Sequence, residues 1–329
     1  MARKHIIFAV TWKGGAVIEP NRCTTIEEIN KLVIGNELRP LIRFEEAKHE
    51  KQFCRIAERI CRKEAVAVML SGPSSSGKTT AANRLATQLR VHGKKPVLIS
   101  LDDYYIDRDR IAPGPDGKLD LEHINTIDTE LFARNLQDAL AGCQVEIPTF
   151  NFKTGRREWN GHILRLERES VIIVEGLHAL NPDLLPKDTE AQKVFGIYIC
   201  PQLPPGYGIA DHELRLLRRI VRDYESRGTS VQRTIAMWDS VRQGEKRWIF
   251  PYRDKADAVF NSAALYEPAV LKKYIFPLLR EVPRDDEAYS EVCAIRKLLE
   301  LVHEANVEDE IPPTSLVREF ICGNTFYRK

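Results

Sequence analysis

A chain of 329 residues with 43% apolar and 29% charged side chains can bury a large core, which excludes a disordered or fibrous protein. Its 49 Lys and Arg against 47 Asp and Glu leave a formal charge of +2, so composition gives no footprint for nucleic acid or an anionic membrane. Seven scattered cysteines without C-x-x-C spacing fit reduced thiols in the cytoplasm and exclude a disulfide framework.

The opening MARKHIIFAVTWKGG lacks a long apolar stretch followed by a small-residue cleavage site, so no signal peptide is expected. No later run approaches the ~18 uninterrupted apolar residues of a membrane span. The expectation is a soluble cytoplasmic protein with neither membrane nor nucleic acid as partner. Residues 1–45 read as a small N-terminal extension, with a turn at WKGG and a short helix in TTIEEINKLV. Phe53, Ile56, Ala57 and Ile60 then recur at helical spacing and predict a core-packed helix from Glu46 to Glu64.

Five short runs have the continuous apolar character of strands buried on both faces: VAVMLSG from Val66, PVLISLD from Pro96, VIIVEG from Val171, VFGIYI from Val194 and ADAVFN from Ala256. Helix-length segments separate several of them. An α/β fold with a mostly parallel five-stranded sheet and helices on both sides follows, its ligands at the carboxyl edge of the strands. A loop rich in Asp, Pro and Gly runs from Asp107 to Gly117, and a helix from Thr129 to Ala141 is closed by Gly142. VEIPTFNFKTGRREWNGHILRLERE, two extended halves around a Gly-containing basic centre, predicts an inserted β-hairpin at about 145–167. DHELRLLRRIVRDYESRG and TSVQRTIAMWDSVRQG read as consecutive helices, each ended by its glycine. A helix burying Tyr289, Val292, Ile295, Leu298, Leu299 and Val302 and the segment IPPTSLVREF make a C-terminal extension, 286–329.

GPSSSGKTT places Gly72, Gly77, Lys78 and Thr79 in the pattern G-x-x-x-x-G-K-[ST], between a predicted strand and a predicted helix. That context is what the pattern needs. Backbone N–H groups of Gly72, Ser74, Ser75, Ser76, Gly77, Lys78, Thr79 and Thr80 can surround phosphate oxygens at a helix N-terminus. Lys78 would neutralise the β and γ phosphates, and the Thr79 hydroxyl would ligate Mg²⁺. A nucleoside triphosphate is therefore the expected ligand. Glu175 ends its strand as an acidic group able to hold Mg²⁺ through water. Asp102 and Asp103 end another strand on the same edge, where one could serve as general base or both could merely cap a turn.

GPSSSGKTT, LDDYY, IPTFNF, VEGLH and RLLRRIVRDYESRG stand in an order and at intervals that resemble the uridine kinase and phosphoribulokinase family of P-loop kinases. LRPLIRFEEAKHEKQFCRIAERI, NFKTGRRE, WDSVRQGEKRWIFP and IPPTSLVREFI further resemble the bacterial uridine-kinase-like nucleoside kinases with a threonyl-tRNA-synthetase-like N-terminal region, here shortened. The resemblance implies a P-loop kinase domain over 46–285 with a helical lid at about 201–250. It implies Asp102 as the base that takes the proton of a sugar hydroxyl, Tyr105 lining the acceptor pocket, Glu122 on the ribose hydroxyls, and Phe150 and Phe152 flanking the base. Arg219, Arg222 and Arg227 fall on the lid positions that clamp phosphate. By spacing alone, Arg215, Arg218 and Arg222 would be a solvated stripe, and the resemblance reverses that expectation.

Lys78, Asp102, Arg222 and Arg227 are thus the expected catalytic residues, with Arg219 on the nucleotide. Gly155 and Met237 stand where the family's pyrimidine-reading histidine and glutamine fall, so tolerance of more than one base, or a preference other than uridine, is expected. His178, Trp238 and Trp248 read as structural. The implied activity is ATP-dependent phosphorylation of a nucleoside 5′-hydroxyl; homo-oligomerisation stays open. A sugar-phosphate kinase and a non-catalytic nucleotide-binding regulator are the alternatives.

Overall fold

The computed structural model describes residues 23–111, 122–185 and 193–326. The turn expected at WKGG and the loop residues from 112 to 117 lie outside these. Strands β1 (Ala67–Ser71), β2 (Lys95–Ser100), β5 (Ser170–Glu175), β6 (Val194–Cys200) and β7 (Ala258–Asn261) form one sheet in the order β2-β5-β1-β6-β7. Every pairing in it is parallel. β3 (Val145–Asn151) and β4 (Arg156–Leu164) pair antiparallel as the separate hairpin expected from the sequence.

Side-chain alternation along β1 explains why its run is apolar throughout. Val68 and Leu70 pack with helices α2 (Leu38–Arg62) and α3 (Lys78–Val91) on one face, while Ala67 and Met69 pack with α4 (Thr129–Leu140) on the other. Both faces of the sheet are therefore dry around the central strand β1, as continuous apolar strands require. Ser100 of β2 lies in register with Glu175 of β5, and Leu70 of β1 is the latter's neighbour on the other side. That register gathers the ends of three strands at one edge.

A third apolar cluster joins α1 (Ile26–Ile34) and the start of α2 to α5 (Asp211–Arg227), α7 (Glu267–Arg280), α8 (Tyr289–Glu300) and the short α9 (Arg318–Ile321). α1 is capped by a reciprocal pair, Thr25 with Glu28. α2 starts eight residues before the Glu46 expected from sequence, because Leu38, Leu41 and Ile42 bury their side chains in this cluster. Glu46, deep inside, accepts hydrogen bonds from Tyr266 (2.9 Å) and Ser315 (2.6 Å) and pairs with Arg84 (3.3 Å). N-terminal, central and C-terminal parts of the chain are tied at this carboxylate.

The segment expected to form a lid holds α5, ended by Gly228 in the left-handed conformation, and α6 (Val231–Trp248). α6 runs past Gly244, the expected stop, since that glycine is buried within the helix and is followed by the buried Glu245. A tertiary contact has overridden the local stop signal. No helix among the described residues is long and apolar enough to cross a membrane.

Candidate active site

The phosphate loop leaves β1 at Gly72, where a Cβ would stand 2.1 Å from the Ile199 carbonyl oxygen; only glycine fits this close approach. Gly77 begins α3 at φ 90°, a second position that glycine alone adopts cheaply. Lys78 Nζ donates to the Gly72 (3.0 Å) and Pro73 (3.2 Å) carbonyls, so the ammonium curls back over the loop. Burial pulls its pKa down against the opposing charges of Glu175, Asp102 and Glu319. Ser74, Ser75 and Ser76 are all buried.

The loop is braced by the lid. Glu245 of α6 accepts from the Ser74 amide (2.8 Å) and forms a two-pronged pair with Arg215 (2.6 and 2.9 Å), which also donates to the Ser74 carbonyl (3.2 Å). Arg218, fully buried, pairs with Glu267 (2.6 and 2.7 Å) and donates to the Ser75 carbonyl (3.3 Å). Arg215 and Arg218 are therefore no solvated stripe: partners from α6 and α7 draw them inside. Trp238 lies under the Arg215 guanidinium at 5.2 Å, which fits its expected packing role.

Glu175 closes the acidic edge. Its carboxylate accepts from Ser100 (2.9 Å) and Thr79 (3.2 Å), and burial, helped by the charge of Asp102, pushes its pKa up to about 7. Among the described residues no group of three or more His, Cys, Asp or Glu side chains could cage a metal. One hydroxyl and one carboxylate suit Mg²⁺, which commonly keeps several waters and takes its other ligands from phosphates. The donor set therefore fits this ion.

Asp102 and Asp103 sit in a single turn of 3-10 helix after β2, yet their surroundings separate them. Asp103 accepts from the Phe150 amide (3.1 Å) and holds the hairpin; burial raises its pKa to about 6. Asp102 is instead a charged neighbour of Lys78, Glu175, Arg222, Arg227, Tyr105 and Glu122. Of the two, Asp102, the expected base, is the one with Lys78, Arg222 and Arg227 in its electrostatic surroundings.

At the hairpin, Tyr105 stands 5.4 Å from Phe150 and 6.2 Å from Phe152, and the two phenylalanine rings meet edge to face at 5.2 Å. Arg227 covers Phe152 at 4.4 Å, where burial and the nearby Arg222 lower its pKa to about 10. Asp223, which sequence reasoning missed, gathers the lid cations: Arg222 at 2.7 Å, Arg219 at 3.2 Å and Arg227 at 3.8 Å. Against its own burial these arginines hold Asp223 below the usual carboxylate range. Arg219 also donates to the Ser74 hydroxyl (2.7 Å), linking the lid to the loop. His178 is buried three residues past β5, and Trp248 meets His123 at 4.3 Å.

Glu122 is buried among Arg219, Glu245, Lys78 and Asp102, and burial raises its pKa from 4.5 to about 7. Ionising it costs the folded state, so stability should fall as pH rises from 4.5 through 7. Glu122→Gln should shrink the fall in thermal midpoint between pH 5 and pH 8. An unchanged fall would place the titration elsewhere.

The phosphate loop also receives the C-terminal segment, which no local signal foretold. The Thr80 amide donates to Glu319 (3.0 Å), and Asn324 donates to the Thr80 hydroxyl (3.1 Å).

The model of the "Phosphoribulokinase / Uridine kinase family" matches residues 67–266. A uridine kinase of Macrococcus caseolyticus is 32% identical over 202 residues, 60% of this chain and 90% of that protein. A uridine kinase of Ligilactobacillus salivarius is 31% identical over 195 residues, 59% of this chain and 84% of its own. A solved structure described as a possible uridine kinase from Bacillus stearothermophilus is 19% identical, with a TM-score of 0.41, and is aligned over 60% of this chain and 89% of its own.

Proposed function

Because the chain belongs to the phosphoribulokinase and uridine kinase family of P-loop kinases, we propose that it moves the γ-phosphate of ATP to the 5′-hydroxyl of a ribonucleoside. The observation that carries this choice of acceptor is the ring cluster of Tyr105, Phe150 and Phe152 beside Asp102. A base needs a flat apolar wall, and aromatic contacts of this kind are worth about 0.5–1.5 kcal/mol each beyond burial.

In this mechanism Asp102 orients the sugar hydroxyl and takes its proton, an effect typically worth roughly 10²–10⁴-fold. Lys78, Arg222 and Arg227 stabilise charge on the transferring group, and closure of α5 and α6 keeps water out. Thr79 and Glu175 would hold Mg²⁺, which when bound neutralises phosphate charge. Glu122 would meet the ribose hydroxyls, and Arg219 the nucleotide phosphates.

A sugar-phosphate acceptor would need paired cations for a second dianion. The hairpin arginines are already engaged. Arg157 bonds Asp128 (2.9 Å) and the Tyr104 (2.9 Å) and Tyr105 (3.1 Å) carbonyls, so it is an internal brace rather than a solvated turn residue. Arg156 pairs with Asp109 at 3.4 Å on the surface. Lys78, Thr79, Asp102 and Glu175 together also speak for turnover rather than a silent regulator.

The test is a nucleotide-release assay of the full chain with Mg²⁺ and ATP against a nucleoside panel and ribulose 5-phosphate. At least one nucleoside should be phosphorylated and ribulose 5-phosphate should not. Gly155, at φ 71° in the hairpin turn, offers no side chain to read a base, so more than one base should be accepted. Ribulose 5-phosphate outrunning every nucleoside would overturn the acceptor assignment; strict uridine selectivity would overturn only the relaxed reading of the base.

A further inference from the structure

The first-turn amides of α3 are the groups a P-loop offers to phosphate oxygens, and one of them is engaged from the far end of the chain. Glu319 Oε2 accepts from the Thr80 amide at 3.0 Å, across 239 residues of sequence. The carboxylate also acts electrostatically on Lys78, Glu175 and Arg222, so it stands within the site's own field. Its carrier is firmly seated. Leu316, Val317 and Phe320 are fully buried, Leu316 lies against Gly77, and the Arg218 guanidinium stacks on Phe320 at 4.9 Å. Ser315 is anchored on Glu46 at 2.6 Å.

We infer that Glu319 is a built-in competitor of nucleotide phosphate: its carboxylate takes an anion position at the helix N-terminus that ATP must reclaim by turning the side chain aside. The inference rests on the proposed ATP site and adds control of its affinity. The physical basis is simple. A helix N-terminus stabilises one anion, and a second carboxylate beside the incoming phosphates repels them. The seated backbone keeps the displaced carboxylate close by, so the repulsion persists after binding and holds affinity below what the loop alone would give.

Titration calorimetry of the full chain, wild type and Glu319→Gln, with ATP and with adenosine tests this. The amide keeps the shape and removes the charge, so ATP should bind about three- to tenfold more tightly to the variant, with adenosine unchanged. The rise in thermal midpoint produced by ATP should be larger for Glu319→Gln than for wild type, a comparison that also serves if Glu319→Ala folds poorly. Equal or weaker ATP binding by Glu319→Gln would overturn the inference and make the residue a structural cap or a nucleotide ligand. An equal gain for adenosine would overturn it too, because phosphate would not be the source. If ATP binds neither protein, the nucleotide site itself fails and the competitor with it; if ATP binds both alike, only the competitor fails.

Discussion

Lys78→Ala is expected to lose at least about 10²–10³-fold in kcat, the scale seen when one preorganised charge donor is removed from a transition state. The ammonium is buried beside the loop carbonyls of Gly72 and Pro73, with Glu175 and Asp102 as its opposing charges. Removing it takes away the cation that opposes Glu175. Lys78→Met keeps the aliphatic stem and should lose nearly as much, which separates charge from packing. Lys78→Arg should not restore activity, because the planar guanidinium differs in shape and reach from a compact ammonium held against the loop. Single-turnover phosphoryl transfer reads the loss, and thermal midpoints show whether the variants still fold. Near-normal turnover of Lys78→Ala would remove the residue from the reaction.

Much of this site is legible in the sequence because its parts are local. Gly72 to Thr80 is one uninterrupted stretch, and the five strand runs are apolar on both faces, so neither needs a distant partner to be recognised. The hairpin is legible for the same reason, with Gly155 supplying its turn. What stays hidden is contact between remote segments. Arg215 and Arg218 look like a wet stripe until Glu245, 30 residues on, and Glu267, 49 residues beyond Arg218, are brought against them. The same contacts explain why α6 overruns Gly244: a buried carboxylate needed by the loop lies one residue further. Glu319 carries no signal at all before the fold delivers it to Thr80. Asp223 could have been suspected from its place one, four and four residues from Arg222, Arg219 and Arg227, a spacing that puts all of them within reach on one helix.

The second large effect separates two adjacent carboxylates. Asp102→Asn should keep ATP binding and lose roughly 10²–10⁴-fold in turnover, since the amide keeps the shape of the side chain but cannot accept the proton. Asp103→Asn should act differently. Its carboxylate holds the Phe150 amide at 3.1 Å, so the change loosens β3 and the ring cluster, raising KM for the acceptor and lowering the thermal midpoint more than it lowers kcat. Steady-state kinetics, with ATP affinity and thermal midpoints measured separately, reads all of these at once. A larger loss of kcat for Asp103→Asn than for Asp102→Asn would exchange the two roles and make the hairpin contact secondary to proton transfer.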